Sequence, residues 1–115
     1  MHLIDDKVTE EAAKTIKEIG PDLSWVYLEY TDDIGHKFGD SPELNTAINY
    51  LDAQISLIHE AIKWRENKYK ENFLLIITTD HGRDELTGKN HGGQSDRQRN
   101  TWIISNKKLN DYSHQ

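Results

Sequence analysis

The chain has 115 residues, a net charge of −6, 30% charged and 35% hydrophobic residues, and no cysteine. That length bounds it to one domain with a modest core. The acidic balance argues against a nucleic-acid polymer as partner, and the absence of cysteine excludes disulfides, thiolate metal sites and a cysteine nucleophile.

The elements follow in chain order. Thr9 is placed to cap a helix running to about Ile19, with Glu10 and Glu11 in its first turn and Ala12, Ala13, Ile16 and Ile19 on one face. Gly20-Pro21 stops it. Ser24 to Tyr30 is aromatic and β-branched and predicts a strand; Thr31 to Asp40 predicts a Gly-containing loop. Ser41-Pro42 then opens a long helix, with serine as cap and proline at the first helical position. Its apolar stripe, Leu44, Ala47, Ile48, Leu51, Ile55, Ile58 and Ile62, implies one face packed on a sheet. The charged segment Arg65 to Glu71 ends it. Phe73 to Ile77 predicts a central parallel strand, and Thr101 to Ile104 a third strand after a long polar loop. The tail 106–115 is expected to fray. No stretch reaches the length of a transmembrane helix, and the opening residues lack the basic and apolar regions of a signal peptide. The compartment stays open.

This order predicts an α/β fold, a single domain over 1–115 with a parallel sheet and right-handed crossovers. Three strands make a small sheet, so the sheet is expected to be incomplete.

The chemistry gathers where strands are expected to end. Asp32 and His36 are separated by a short turn in which Gly35 lets both side chains converge. Asp80 and His81 follow the second strand, with Gly82 allowing a sharp turn, and His91 precedes Gly92-Gly93. Carboxylate oxygen with imidazole nitrogen suits zinc, manganese or iron better than calcium. Two aspartates and three histidines exceed the three protein ligands common at one catalytic zinc, which points to two neighbouring metals. Asp-Gly loops are ordinary turn chemistry. His59 is a helical surface residue, and His2 and His114 near the ends are uninvolved. Arg83, Arg97 and Arg99 are expected to be solvated or paired with Asp84, Glu85 or Asp96, although a phosphate contact is open to them. Thr78 and Thr79 read as structural rather than nucleophilic.

Three segments carry a family resemblance. Tyr30-Thr31-Asp32-Asp33-Ile34-Gly35-His36-Lys37-Phe38-Gly39 resembles the metal motif of the type I phosphodiesterase/nucleotide pyrophosphatase family, within the alkaline phosphatase superfamily. Ile76-Ile77-Thr78-Thr79-Asp80-His81-Gly82 and Asn90-His91-Gly92-Gly93 are similar to its later metal motifs, and the likeness runs from about Val8 to Ile104. The resemblance implies an alkaline-phosphatase-like parallel α/β sandwich, represented here by its C-terminal portion. It implies that Asp32, His36 and His91 bind one divalent metal and that Asp80 and His81 bind a second, zinc foremost and manganese next. It also implies a serine or threonine nucleophile and a further aspartate in an N-terminal half, so no catalytic nucleophile is assigned to this chain and its substrate-binding residues stay open.

The expected activity is hydrolysis of a small phosphoric ester by the longer enzyme. The piece alone is expected to be inactive, to bind metal incompletely or not at all, and to self-associate through its truncated surface. A sulfatase, phosphonate hydrolase or phosphomutase of the same superfamily is the alternative among enzymes, and a non-catalytic metal-binding domain the alternative outside them.

Overall fold

The computed structural model describes residues 3–110. The element order is α1 (Leu3–Glu18), α2 (Tyr30–Phe38), α3 (Pro42–Tyr69), β1 (Ile76–Thr78), α4 (Asp96–Arg99) and β2 (Ile103–Ser105). It is a mixed helical structure with one small two-stranded sheet among the described residues.

α1 begins at Leu3, a turn and a half before the expected cap. Asp5 and Asp6 occupy its first turn, where the helix dipole favours negative charge. Thr9 is therefore interior, and its buried hydroxyl donates to the carbonyls of Asp5 and Asp6 at 2.9 Å each. The helix ends as expected at Gly20, whose φ of 65° suits a residue without a side chain. Arg65 of α3 reaches back to its last turn and donates to the Lys17 carbonyl at 2.9 Å.

The expected strand at Ser24 to Tyr30 is an extended segment outside the sheet, and Tyr30 already belongs to α2. The expected loop from Thr31 is helical as far as Phe38. Acidic Asp32 and Asp33 lie in its first turn and His36 and Lys37 in its last, the order that the helix dipole favours. A helix this short is marginal alone. Its N-cap residue, Glu29, makes no side-chain cap. The Asp5 carboxylate does so instead, accepting from the N–H of Glu29 at 3.2 Å and of Tyr30 at 2.9 Å. Gly39 closes the other end, donating to Gly35 O at 2.8 Å with φ of 66°.

α3 starts as read from Ser41-Pro42, with the Ser41 hydroxyl accepting from Leu44 N at 3.2 Å. It runs to Tyr69 and ends on Lys70 in the left-handed region. Its buried residues are Ala47, Gln54, Ile58, Ala61 and Ile62, whereas Ile48 is exposed. The buried face packs on α1 and α2 and on the chain leading into β1, which shifts the stripe by part of a turn. Gln54 lies inside it because its amide donates to Asp6 at 2.7 Å. The core cluster joins Ile16 of α1 to Ile58, Ala61 and Ile62 of α3, with Val26, Phe73 and Leu75 packed against it. Each buried isoleucine contributes about 1.5–3 kcal/mol.

The strands pair antiparallel, with Ile76 opposite Ser105, Ile77 opposite Ile104 and Thr78 opposite Ile103. This corrects the parallel pairing expected of them. The chain between β1 and β2 holds only the four-residue α4 and turns back on itself instead of crossing over. Asn106, where the tail begins, is tied to the end of the segment before β1. That residue donates to Leu75 O at 3.2 Å and accepts from Leu75 N at 2.9 Å, extending the pairing. Residues 111–115, like His2, lie outside the described residues.

The helices cover one face of the extended segments only. Val26, Phe73 and Leu75 point into the core, while their alternating neighbours Trp25, Tyr27, Leu74 and Ile76 are exposed. The structure is a slab 19 Å thick with a radius of gyration of 16.2 Å. A closed domain of this length has a radius of about 13 Å.

Candidate metal centre

Asp32 stands in the first turn of α2 and His36 one turn later, so both project from one helical face. Helical spacing, not the expected glycine turn, brings the two side chains together. His36 Nε2 lies 3.4 Å from Asp32 Oδ2. Asp80 and His81 follow β1, and His91 follows a loop that folds back over α2.

The three segments meet. His36 Nε2 and His91 Nε2 are 2.9 Å apart. Asp32 Oδ1 lies 3.7 Å from both His81 Nε2 and His91 Nε2, and the His81 and His91 rings stack with centroids 3.7 Å apart. Asp80 Oδ1 is 3.3 Å from His81 Nε2, and its side chain is largely in solvent. Asp32, His81 and His91 each offer one ligand atom within 4.8 Å of the others.

His81 Nδ1 is 2.7 Å from Gly82 O, an acceptor, so this nitrogen carries the hydrogen. Nε2 is then the nitrogen left facing the Asp32 and Asp80 carboxylates, an arrangement that could hold a divalent metal. The donor set, imidazole nitrogen with carboxylate oxygen, is the one that zinc and manganese accept. Tyr27 borders the cluster; desolvation and the charges of Glu29, Asp80, Asp32 and Asp33 raise its pKa, so its phenol keeps its proton.

Two supports went unread in the sequence. Arg83, expected to be solvated or paired with a nearby acid, forms an ion pair with the Asp32 carboxylate and donates to the Asp32 carbonyl at 2.9 Å. The same guanidinium reaches Gly88 O and Lys89 O, tying α2 to the loop before His91. A Cβ on Gly35 would stand 2.3 Å from its Cζ, which gives the helical glycine its reason. Asp84 organises that loop, accepting from Thr87 N at 2.7 Å, Asn90 N at 2.8 Å and Leu86 N at 3.1 Å. The N–H groups of Thr87 and Asn90 hold its carboxyl well below the usual carboxylate range. A lowered folded-state pKa gives stabilisation that is present above the unfolded value and lost only as pH falls through the folded one, so mild acid leaves this loop closed. The signal available was the Asx-turn chemistry of Asp84 followed by Thr87 and Gly88.

The remaining candidates stand apart. Arg97 pairs with Asp40 at 2.7 Å and Arg99 with Asp96. Thr78 donates to Trp102 O at 2.7 Å and Thr79 to His81 O at 3.2 Å, so both hydroxyls are taken up by the backbone. His59 is exposed on α3. No helix among the described residues is long and apolar enough to cross a membrane.

Comparison with known proteins gives the same family as the motifs. The chain is 34% identical over 87 residues to a 2,3-bisphosphoglycerate-independent phosphoglycerate mutase of Mesomycoplasma hyopneumoniae, covering 74% of this chain and 16% of that protein. It is 37% identical over 65 residues to GPI ethanolamine phosphate transferase 2 of Schizosaccharomyces pombe, covering 56% of this chain and 8% of that protein. It is 40% identical over 63 residues to an uncharacterised pyrophosphatase/phosphodiesterase of the same yeast, covering 54% and 13%. The chain thus spans a small part of each relative. No solved structure gives a significant match. The family model for type I phosphodiesterase / nucleotide pyrophosphatase matches residues 2–106, through all three segments that build the cluster, and to that family the chain belongs.

Proposed function

We propose that this chain supplies metal ligands to a phosphoric-ester hydrolase of the phosphodiesterase/pyrophosphatase type. Asp32, His36 and His91 would hold one divalent ion and Asp80 with His81 a second, zinc by preference and manganese as the substitute. The observation that carries this reading is the meeting of three imidazole Nε2 atoms around the Asp32 carboxylate. When bound, such ions polarise a phosphoryl oxygen and neutralise charge that develops in displacement. The chain's own residues hold and orient: Arg83 fixes Asp32, and the Gly82 carbonyl fixes the His81 ring. The nucleophile would come from sequence outside this chain, as the family resemblance implies; the Thr78 and Thr79 hydroxyls are engaged by the backbone. The substrate would be a small phosphoric ester.

Direct titration with zinc tests the site. The wild-type chain is expected to bind, and His36→Ala to bind more weakly; equal stoichiometry and affinity in the two would refute the assignment. A phosphomutase is the second reading, favoured by the 34% identity that spans 74% of this chain. Assay of a longer protein containing this chain separates them: cleavage of diesters or pyrophosphates supports the hydrolase, and isomerisation of a phosphoglycerate supports the mutase.

The bare face belongs to the same proposal. Trp25, Tyr27, Leu74 and Ile76, with Ile103 beside them, would complete an α/β sandwich against the remainder of the longer enzyme. Exposed apolar patches of this kind drive association. The chain alone is therefore expected to sediment as dimers or larger species whose proportion rises with concentration. A monomer at all concentrations would show that the face needs no cover.

A further inference from the structure

The geometry points to Asp5 as a positioning residue for the metal centre, acting through α2. This rests on the metal reading above and extends it to a residue outside the three motifs. Asp5 is a carboxylate only 3% exposed, on a helix that contributes no ligand. Both its oxygens are committed: Oδ1 accepts from Glu29 N at 3.2 Å and Oδ2 from Tyr30 N at 2.9 Å. Those are first N–H groups of α2, which a helix cannot satisfy internally. A local side chain normally does this, yet Glu29 makes no such bond. The cap thus comes from 24 residues upstream, and with it the direction in which α2 leaves the extended segment.

The consequence falls on Asp32 and His36. α2 is nine residues long and too short to hold its shape unaided. Asp32 begins two residues after the capped Tyr30, and its carboxylate must lie between His81 and His91. Asp5 itself is fixed, because Thr9 donates to its carbonyl and α1 packs on α3 through Ile16, Ile58, Ala61 and Ile62. A rigid α1–α3 pair therefore aims the short helix that carries two ligands.

The test compares variants of the full chain by zinc titration and by amide hydrogen exchange. Asp5→Ala is expected to lower zinc affinity about tenfold or more, the effect of losing an outer-shell support, and to speed exchange across 30–38. Asp5→Asn, which keeps one acceptor, is expected to fall between it and wild type, and it decides the matter if the alanine variant does not fold. Gln54→Met removes the bond to Asp6 without touching α2 and is expected to keep wild-type zinc affinity. Wild-type affinity and exchange in both Asp5 variants would overturn the proposal. So would an equal loss in Gln54→Met, which would mark a general effect of stability. A wild-type chain that takes up no zinc would sink the metal reading instead, and faster exchange across 30–38 in the Asp5 variants would still show the anchor.

Discussion

Asp32→Ala is expected to reduce zinc affinity by more than about 100-fold, beyond the roughly 10–100-fold that outer-shell losses cause. The reason is its central place. One carboxylate lies 3.4 Å from His36 Nε2 and 3.7 Å from both His81 Nε2 and His91 Nε2, so every proposed histidine ligand faces it. Removing His36 takes away one donor; removing Asp32 takes away the negative charge that the three rings surround. Folding should suffer much less. Arg83 loses its ion-pair partner but still donates to the carbonyls of Asp32, Gly88 and Lys89. Asp32→Asn separates the two contributions, because it keeps shape and one acceptor oxygen while removing charge. Calorimetric titration beside thermal melting checks both. Zinc binding in Asp32→Ala that matches wild type would remove the central claim about this site.

The helix α3 and its cap were legible because their signals are local: Ser41, Pro42 and a periodic apolar pattern lie side by side in sequence. The ligand-type residues were legible for a similar reason, since Asp32, His36, Asp80, His81 and His91 stand in short motifs; the structure brings Asp32, His36, His81 and His91 together and leaves Asp80 beside His81, largely in solvent. α2 was not legible. Asp-Asp and Gly read as turn chemistry, and what makes the segment helical is a carboxylate from Asp5, far away along the chain. The direction of strand pairing was missed on the same principle. An apolar run such as Phe73 to Ile77 announces burial and extension but not its neighbour, and the neighbour here is the antiparallel β2. Arg83 shows the limit most clearly. Its nearest acids in sequence are Asp84 and Glu85, yet the fold gives it Asp32, and only then does the small size of Gly35 make sense.

Gly82→Ala is expected to destabilise the chain by about 1–3 kcal/mol through overpacking, a fall of roughly 4 °C in Tm for each kcal/mol at this size. A Cβ at that position would lie 1.7 Å from Arg97 O and 2.9 Å from Arg97 C. These are backbone atoms, which cannot swing aside as the end of a side chain can. The contact is also held shut: Gly82 N donates to Gln98 O at 2.9 Å, and the Arg97 side chain is tied to Asp40 at 2.7 Å. Relief must therefore come from moving the 81–82 segment, and that segment carries the carbonyl that orients His81. Zinc affinity should fall together with Tm. Gly92→Ala supplies the contrast, for its φ is 88° but nothing lies within 4 Å of the added atom. That variant measures backbone strain without crowding, expected at about 1–2 kcal/mol, whereas Gly82→Ala measures crowding without positive φ. Melting of Gly82→Ala at the wild-type temperature with unchanged zinc affinity would mean that α4 does not pack against the end of β1 in the way described, and the position of His81 would then need another support.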